Sequence, residues 1–159
     1  MDALDLDRQL CFALYSASRA MTASYKDLLA ELGITYPQYL VMLVLWEEAS
    51  APEGVTVKHL GERLQLDSGT LSPLLSRLES LGYVTRHRSA EDSRSVFIRP
   101  TAEGAAAKER AECVPVRIGE RTQLDPASMP ELLETLRTLT RNLRAEPAPV
   151  EPPGPLPHH

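Results

Sequence analysis

Thr56-Val57-Lys58-His59-Leu60-Gly61-Glu62-Arg63-Leu64-Gln65-Leu66-Asp67-Ser68-Gly69-Thr70-Leu71-Ser72-Pro73-Leu74-Leu75-Ser76-Arg77-Leu78-Glu79-Ser80-Leu81-Gly82 decides the fold of this 159-residue chain. Its opening places Val57, Leu60 and Leu64 on one face of a short helix. Thr56 is its natural cap, because a hydroxyl just ahead of the first turn can accept from the helix's free amides. Gln65-Leu66-Asp67 makes a tight turn. Beyond it Leu71, Leu74, Leu75, Leu78 and Leu81 form a second apolar stripe at helical spacing, which Gly82 stops. The pattern then changes period. Tyr83-Val84-Thr85-Arg86-His87 and Ser95-Val96-Phe97-Ile98 read as two strands around a polar turn from Ser89 to Ser93.

Helix, tight turn, helix and two-stranded ribbon, in that order, make a winged helix-turn-helix, a unit whose second helix enters the major groove of DNA. The face that the leucines leave outside carries Ser68, Gly69, Thr70, Ser72, Ser76 and Arg77. Short hydroxyl side chains let a helix axis come close to base edges and phosphates, whereas a merely solvated face is usually richer in Lys and Glu. In the ribbon, Arg86, Arg88, Asp92 and Arg94 are the candidate contacts. An arginine at a wing tip suits the narrow, electronegative minor groove, and a carboxylate two residues away can hold its guanidinium in one pose. An ordinary surface ion pair, worth little, is the competing reading of Asp92 and Arg94. Pro73 is discordant: in a helix starting at Ser68 it removes a backbone donor and crowds the Gly69 carbonyl. Local rules start the helix at Pro73 instead, with Ser72 as its cap.

Working outward, Leu10, Leu14, Met21, Leu28 and Leu32 predict one long helix over about residues 4–32, ended by Gly33. Tyr36-Pro37 opens a second helix, which runs to about Glu48. Ala51-Pro52-Glu53-Gly54 is a loop. Thr101 caps a helix reaching about residue 121. Met129, Leu132, Leu133, Leu136, Leu139 and Leu143 stripe a last one. Residues 146–159 hold six of the 13 prolines, a composition that does not pack and predicts an extended or disordered tail. The fold class is therefore mainly α with a small β-wing, in one domain over residues 1–145 whose DNA-binding part spans about 55–100.

The net charge of −5 argues mildly against nucleic acid, but a global sum can hide a local patch. Residues 85–99 hold Arg86, Arg88, Arg94 and Arg99 against Glu91 and Asp92. The acidic N-terminus lacks the basic start of a secretory signal, and the longest apolar run, Tyr39 to Trp46, is too short to cross a bilayer. No membrane partner and a cytoplasmic location are expected. His59, His87, His158 and His159 show no ligand spacing, so neither a metal nor another cofactor is expected.

Two cysteines, Cys11 and Cys113, are too far apart in sequence for a metal motif. Cys11 lies between Leu10 and Phe12 on the first helix. It reads either as a small core hydrophobe or as a sensor thiol, which must ionise near neutral pH and so needs donors or positive charge nearby. Arg8, Tyr25 and Tyr36 are candidates for that role. Tyr25 stands 14 residues along the same helix, about 21 Å away. If Tyr25 serves Cys11, it must come from a second subunit whose first helix is antiparallel, so a redox reading implies a dimer.

Leu10-Cys11-Phe12-Ala13-Leu14-Tyr15, Thr35-Tyr36-Pro37-Gln38-Tyr39 and Leu66-Asp67-Ser68-Gly69-Thr70-Leu71-Ser72-Pro73-Leu74-Leu75 resemble the organic-hydroperoxide-sensing OhrR branch of the MarR family. Asp92-x-Arg94 and Thr101-Ala102-Glu103-Gly104 resemble that family's wing signature. The resemblance implies a homodimer joined through the helices at about 4–32 and 101–145, with Cys11 as the peroxidatic thiol, hydrogen-bonded by Tyr25 and Tyr36 of the partner. It implies Pro73 as a normal member of the recognition helix, Arg94 in the minor groove, and Cys113 as a resolving thiol that forms an intersubunit disulfide. The implied function is a repressor, not an enzyme, that binds double-stranded operator DNA when reduced and leaves it when an organic hydroperoxide oxidises Cys11. Two alternatives stand beside it. A MarR-type repressor sensing a small aromatic acid leaves Cys11 without a role, and a thiol peroxidase leaves the helix-turn-helix without one.

Overall fold

A computed structural model describes residues 4–89 and 94–145. The chain divides into two units, Met1–Arg121 and Thr122–His159. In the first, a 3-10 turn at Leu6–Arg8 precedes α1 (Leu10–Leu28), and a second turn at Ala30–Leu32 leads to α2 (Tyr36–Glu47). Then come β1 (Val55–Thr56), α3 (Val57–Leu64), α4 (Ser68–Ser80), β2 (Val84–Arg88), β3 (Val96–Pro100), α5 (Ala102–Ala111) and α6 (Val114–Thr122). In the second, a 3-10 turn at Pro126–Ser128 opens α7 (Met129–Arg144), whose Leu132, Leu133, Leu136 and Leu143 are exposed.

Four expectations are corrected. The first helix is not continuous over 4–32. Gln9 is extended (ψ 116°), and Leu29 leaves helical geometry (ψ 2°), so that Leu29 and Leu32 turn into the core while Gly33 takes the left-handed φ of 63°. The fifth helix does not run to 121, for it breaks at Glu112-Cys113. Pro115 has no N–H for the Ala111 carbonyl, and its ring crowds that oxygen. The recognition helix begins at Ser68, not Pro73. Asp67 caps it, its Oδ1 accepting the Thr70 amide at 2.8 Å, and Leu71, Leu75 and Leu78 are fully buried along it. A cap is worth about 1 kcal/mol and each buried leucine roughly 1.5–3 kcal/mol, which together outweigh the bond lost at Pro73. Finally, the ribbon has a third strand. Val55 pairs with Ile98 and Thr56 with Phe97, giving an antiparallel sheet in the order β1-β3-β2.

The core joins these pieces. Leu29, Met42, Leu45, Leu60, Leu71, Leu75, Leu78 and Ile98 are each almost wholly buried, so α2 packs behind the helix-turn-helix and the root of the wing. Thr56 caps α3 through the His59 amide (3.1 Å), as the sequence predicts. A charged network missed in the sequence braces α3 against the end of α2. In it Arg63 donates to Glu47 (2.6 Å) and Glu48 (2.9 Å), and His59 Nε2 lies 2.9 Å from Glu48. None of the residues of α1 is buried, and its Leu10, Phe12, Tyr15 and Met21 are exposed.

Candidate functional site

The outward face of α4 carries the side chains named from the sequence. Ser68, Gly69, Thr70, Ser72, Ser76 and Arg77 are all exposed, because the leucines fix the opposite face in the core. Thr70 is partly committed, since its hydroxyl donates to Asp67 Oδ2 at 3.1 Å. The Thr70 amide and hydroxyl together hold the Asp67 carboxyl below the ordinary aspartate range, so the cap is ionised at neutral pH.

β2 and β3 carry the ribbon, with Arg86 opposite Ile98 and Arg88 opposite Val96. His87 stacks on Phe97 with ring centroids 5.6 Å apart, which stiffens the ribbon one register step from Arg86. Arg88 and Arg94 are exposed. Arg86 is not. Its guanidinium folds back onto α4, donating to Ser76 Oγ at 2.7 Å. Asp92 lies outside the described residues.

At the other end of the unit, Cys11 is exposed near the start of α1. Tyr25 lies towards the end of the same helix and meets Tyr36, from the first turn of α2, with ring centroids 4.4 Å apart. The two candidate donors are thus brought together within one chain, and Cys11 is not brought to them. Burial pushes both phenols' pKa up, with Tyr36 adding to the shift at Tyr25, so both keep their protons as donors across the physiological range. Tyr39, not singled out in the sequence, is a third member. Its ring centroid lies 5.9 Å from that of Tyr25, and burial first, then the neighbouring phenols and Cys113, push its pKa up to about 12. Its position one turn after Tyr36 was the available signal. Cys113 is exposed in the break between α5 and α6, Sγ 3.9 Å from the Arg110 carbonyl. It stands close enough to the tyrosine cluster to act on Tyr39.

Arg121 anchors this end. Its guanidinium grips Asp27 with both nitrogens (2.9 and 2.5 Å) and donates to the Ser24 carbonyl (2.6 Å), which ties α6 to α1. That grip holds the Asp27 carboxyl down at about 2. Among the described residues no cluster of His, Cys, Asp and Glu could hold a metal, and no helix is long and apolar enough to cross a membrane.

Comparison with known proteins places both ends in context. Residues 23–111 match the family model of the transcriptional regulator SarA/Rot. The organic hydroperoxide resistance transcriptional regulator of Bacillus subtilis is 49% identical over 142 residues, which is 89% of this chain and 94% of that protein. Among solved structures, AbfR of Staphylococcus epidermidis has been seen in several states. Reduced AbfR bound to DNA is 35% identical with a TM-score of 0.68, over 87% of this chain and 94% of that one. Disulfide-formed AbfR is 38% identical with a TM-score of 0.60, over 85% and 92%. These relatives are transcriptional regulators, not enzymes.

Proposed function

The chain belongs to the SarA/Rot-type branch of the MarR-like winged-helix transcriptional regulators, alongside the organic hydroperoxide resistance regulators, and on that premise we propose that it is a cytoplasmic, homodimeric repressor that holds operator DNA when reduced and releases it when an organic hydroperoxide oxidises Cys11. Ser68, Thr70, Ser72, Ser76 and Arg77 face the major groove, and Arg88 and Arg94 face the backbone and minor groove. Two copies related by a two-fold axis read half-sites about one helical turn apart.

The observation that carries the sensor is the split of its parts. The exposed thiol sits at one end of α1, and the Tyr25–Tyr36 pair sits at the other. Antiparallel pairing of α1 with its copy, through the exposed Leu10, Phe12, Tyr15 and Met21, joins one subunit's thiol to its partner's phenols and covers a stripe left bare in the single chain. The Cys11 thiolate attacks the outer peroxide oxygen, and the O–O bond breaks. Sulfur is oxidised to sulfenic acid as the peroxide is reduced and leaves as an alcohol after taking a proton. The partner's Cys113 thiol then attacks that sulfur. An S–S bond forms, and the sulfenic oxygen leaves as water. Cys113 lies where α5 is already broken, so its movement shifts the frame that carries the wings.

A subunit-mixing experiment tests the arrangement. A Cys11→Ser chain paired with a Tyr25→Phe/Tyr36→Phe chain rebuilds one complete site in trans and should regain rapid oxidation of one thiol per heterodimer. Oxidation of the heterodimer no faster than that of the Tyr25→Phe/Tyr36→Phe homodimer would contradict the shared site.

A further inference from the structure

Arg86 is placed on β2 to reach DNA, yet it spends its side chain on α4. Nη2 donates to Ser76 Oγ at 2.7 Å and, at 3.5 Å, to the Ser72 carbonyl. Nε is buried and lies 3.2 Å from Glu79 Oε2, out of line for a hydrogen bond, so that contact is electrostatic. The Arg86 side chain is only 26% exposed. Its three partners, Ser72, Ser76 and Glu79, all stand on the face of α4 that the leucines leave outside. Glu79 is the single acid between Ser68 and Ser80. A carboxylate on a helix approaching phosphates repels them, and a guanidinium at 3.2 Å cancels most of that field before DNA arrives. The bond to Ser76 has a second effect. With its oxygen accepting from Arg86, the Ser76 hydroxyl keeps its own proton for donation, to purine N7, guanine O6, thymine O4 or a phosphate oxygen.

We propose that Arg86 is a positioning residue for DNA binding. It screens Glu79 from the phosphates and fixes Ser76 as a donor, and it makes no phosphate contact of its own. It departs from the sequence expectation of Arg86 as a direct contact, and it rests on the reading of α4 as the recognition helix. Its distinguishing property is electrostatic. A lysine or arginine bound to a phosphate adds about 0.9 to the slope of log K against log salt, whereas removing an arginine together with the carboxylate it neutralises leaves the slope unchanged.

The test uses the full-length protein and a duplex selected by the wild type from a randomised pool. Binding is measured at several salt concentrations for wild type, Arg86→Ala, Glu79→Gln and the double variant. Arg86→Ala should lose about tenfold in affinity at low salt and less at high salt, because salt screens the bared Glu79 from the phosphates, and adding Glu79→Gln should restore at least roughly threefold and return the salt slope to the wild-type value. Glu79→Gln alone, a change at an exposed position, should bind at least as well as wild type and keeps the test open if Arg86→Ala fails to fold. A slope still lower by about 0.9 in the double variant, no recovery of its affinity, or a loss of more than about threefold in Glu79→Gln overturns the proposal. A wild type that selects no duplex fails at an earlier step and overturns the DNA-binding reading itself.

Discussion

One added methyl group at Gly104 should destabilise the protein severely, while the same change at Gly119 should not. A Cβ at Gly104 would lie 2.9 Å from the Tyr83 carbonyl carbon and 3.2 Å from its Cα, with the carbonyl oxygen closer still. All three atoms are backbone, so no rotamer relieves the overlap. Carbon atoms pack at roughly 3.5–4.0 Å, so the start of α5 must back away from the root of β2. Two hydrogen bonds stretch as it does: Thr101 N–H to the Tyr83 carbonyl (3.0 Å) and Trp46 Nε1–H to the Gly104 carbonyl (2.8 Å). Overpacking costs about 1–3 kcal/mol, and each lost bond adds about 0.5–1.5 kcal/mol, for a total near 4 kcal/mol. At about 2–4 °C per kcal/mol, Tm should fall by roughly 10 °C. Gly119, on α6, has nothing within 4 Å of its Cβ, so Gly119→Ala should hold or raise stability by up to about 1 kcal/mol. Circular dichroism melts at fixed protein concentration measure both. Fluorescence of Trp46, the chain's only tryptophan, gives an independent probe at the affected junction. A Gly104→Ala protein melting within about 2 °C of wild type would refute the packing argument.

Three further outcomes are expected. Arg94→Ala should weaken operator binding and lower the salt slope while leaving Tm unchanged, because the residue is exposed at the wing; equal binding at every salt concentration would remove Arg94 from the interface. Tyr25→Phe and Tyr36→Phe should each slow Cys11 oxidation by about tenfold, the worth of one hydrogen bond to a charged sulfur, as followed by loss of free thiol in stopped flow. Treating pure protein with an organic hydroperoxide should give a covalent dimer on a non-reducing gel, absent in both Cys11→Ser and Cys113→Ser. A wild type that runs as monomer with Cys11 oxidised would leave Cys113 without a resolving role.

The sequence shows most clearly what periodicity and caps control. Thr56, Thr101 and the leucine stripe of α4 act where their spacing places them. What it concealed was tertiary. Pro73 breaks a local rule, but Asp67 and three buried leucines hold the helix across it. Pro115 breaks a helix that the spacing alone would continue, because it lacks a donor and crowds the Ala111 carbonyl. β1 is two residues long and declares itself only through pairing with Ile98 and Phe97, so no local pattern could announce it. At the site, residue types were legible and partnerships were not. Arg86 reads as a groove contact, but the side chains that it meets, Ser76 and Glu79, show only in the structure, and so does the approach of the Tyr39 ring to Tyr25. Gly104 shows the reverse case, a residue of a recognised signature whose reason, contact with the Tyr83 carbonyl, only the packing supplies.

The central claim is that release of the operator requires oxidation of Cys11. Fluorescence anisotropy of labelled operator duplex, titrated with cumene hydroperoxide, tests it most directly. Wild type should dissociate near one equivalent per subunit and rebind after reduction by a dithiol. Cys11→Ser should bind the operator as tightly as the reduced wild type and stay bound throughout the titration, because a hydroxyl cannot form a sulfenic acid. Release of Cys11→Ser at the wild-type dose would contradict the account.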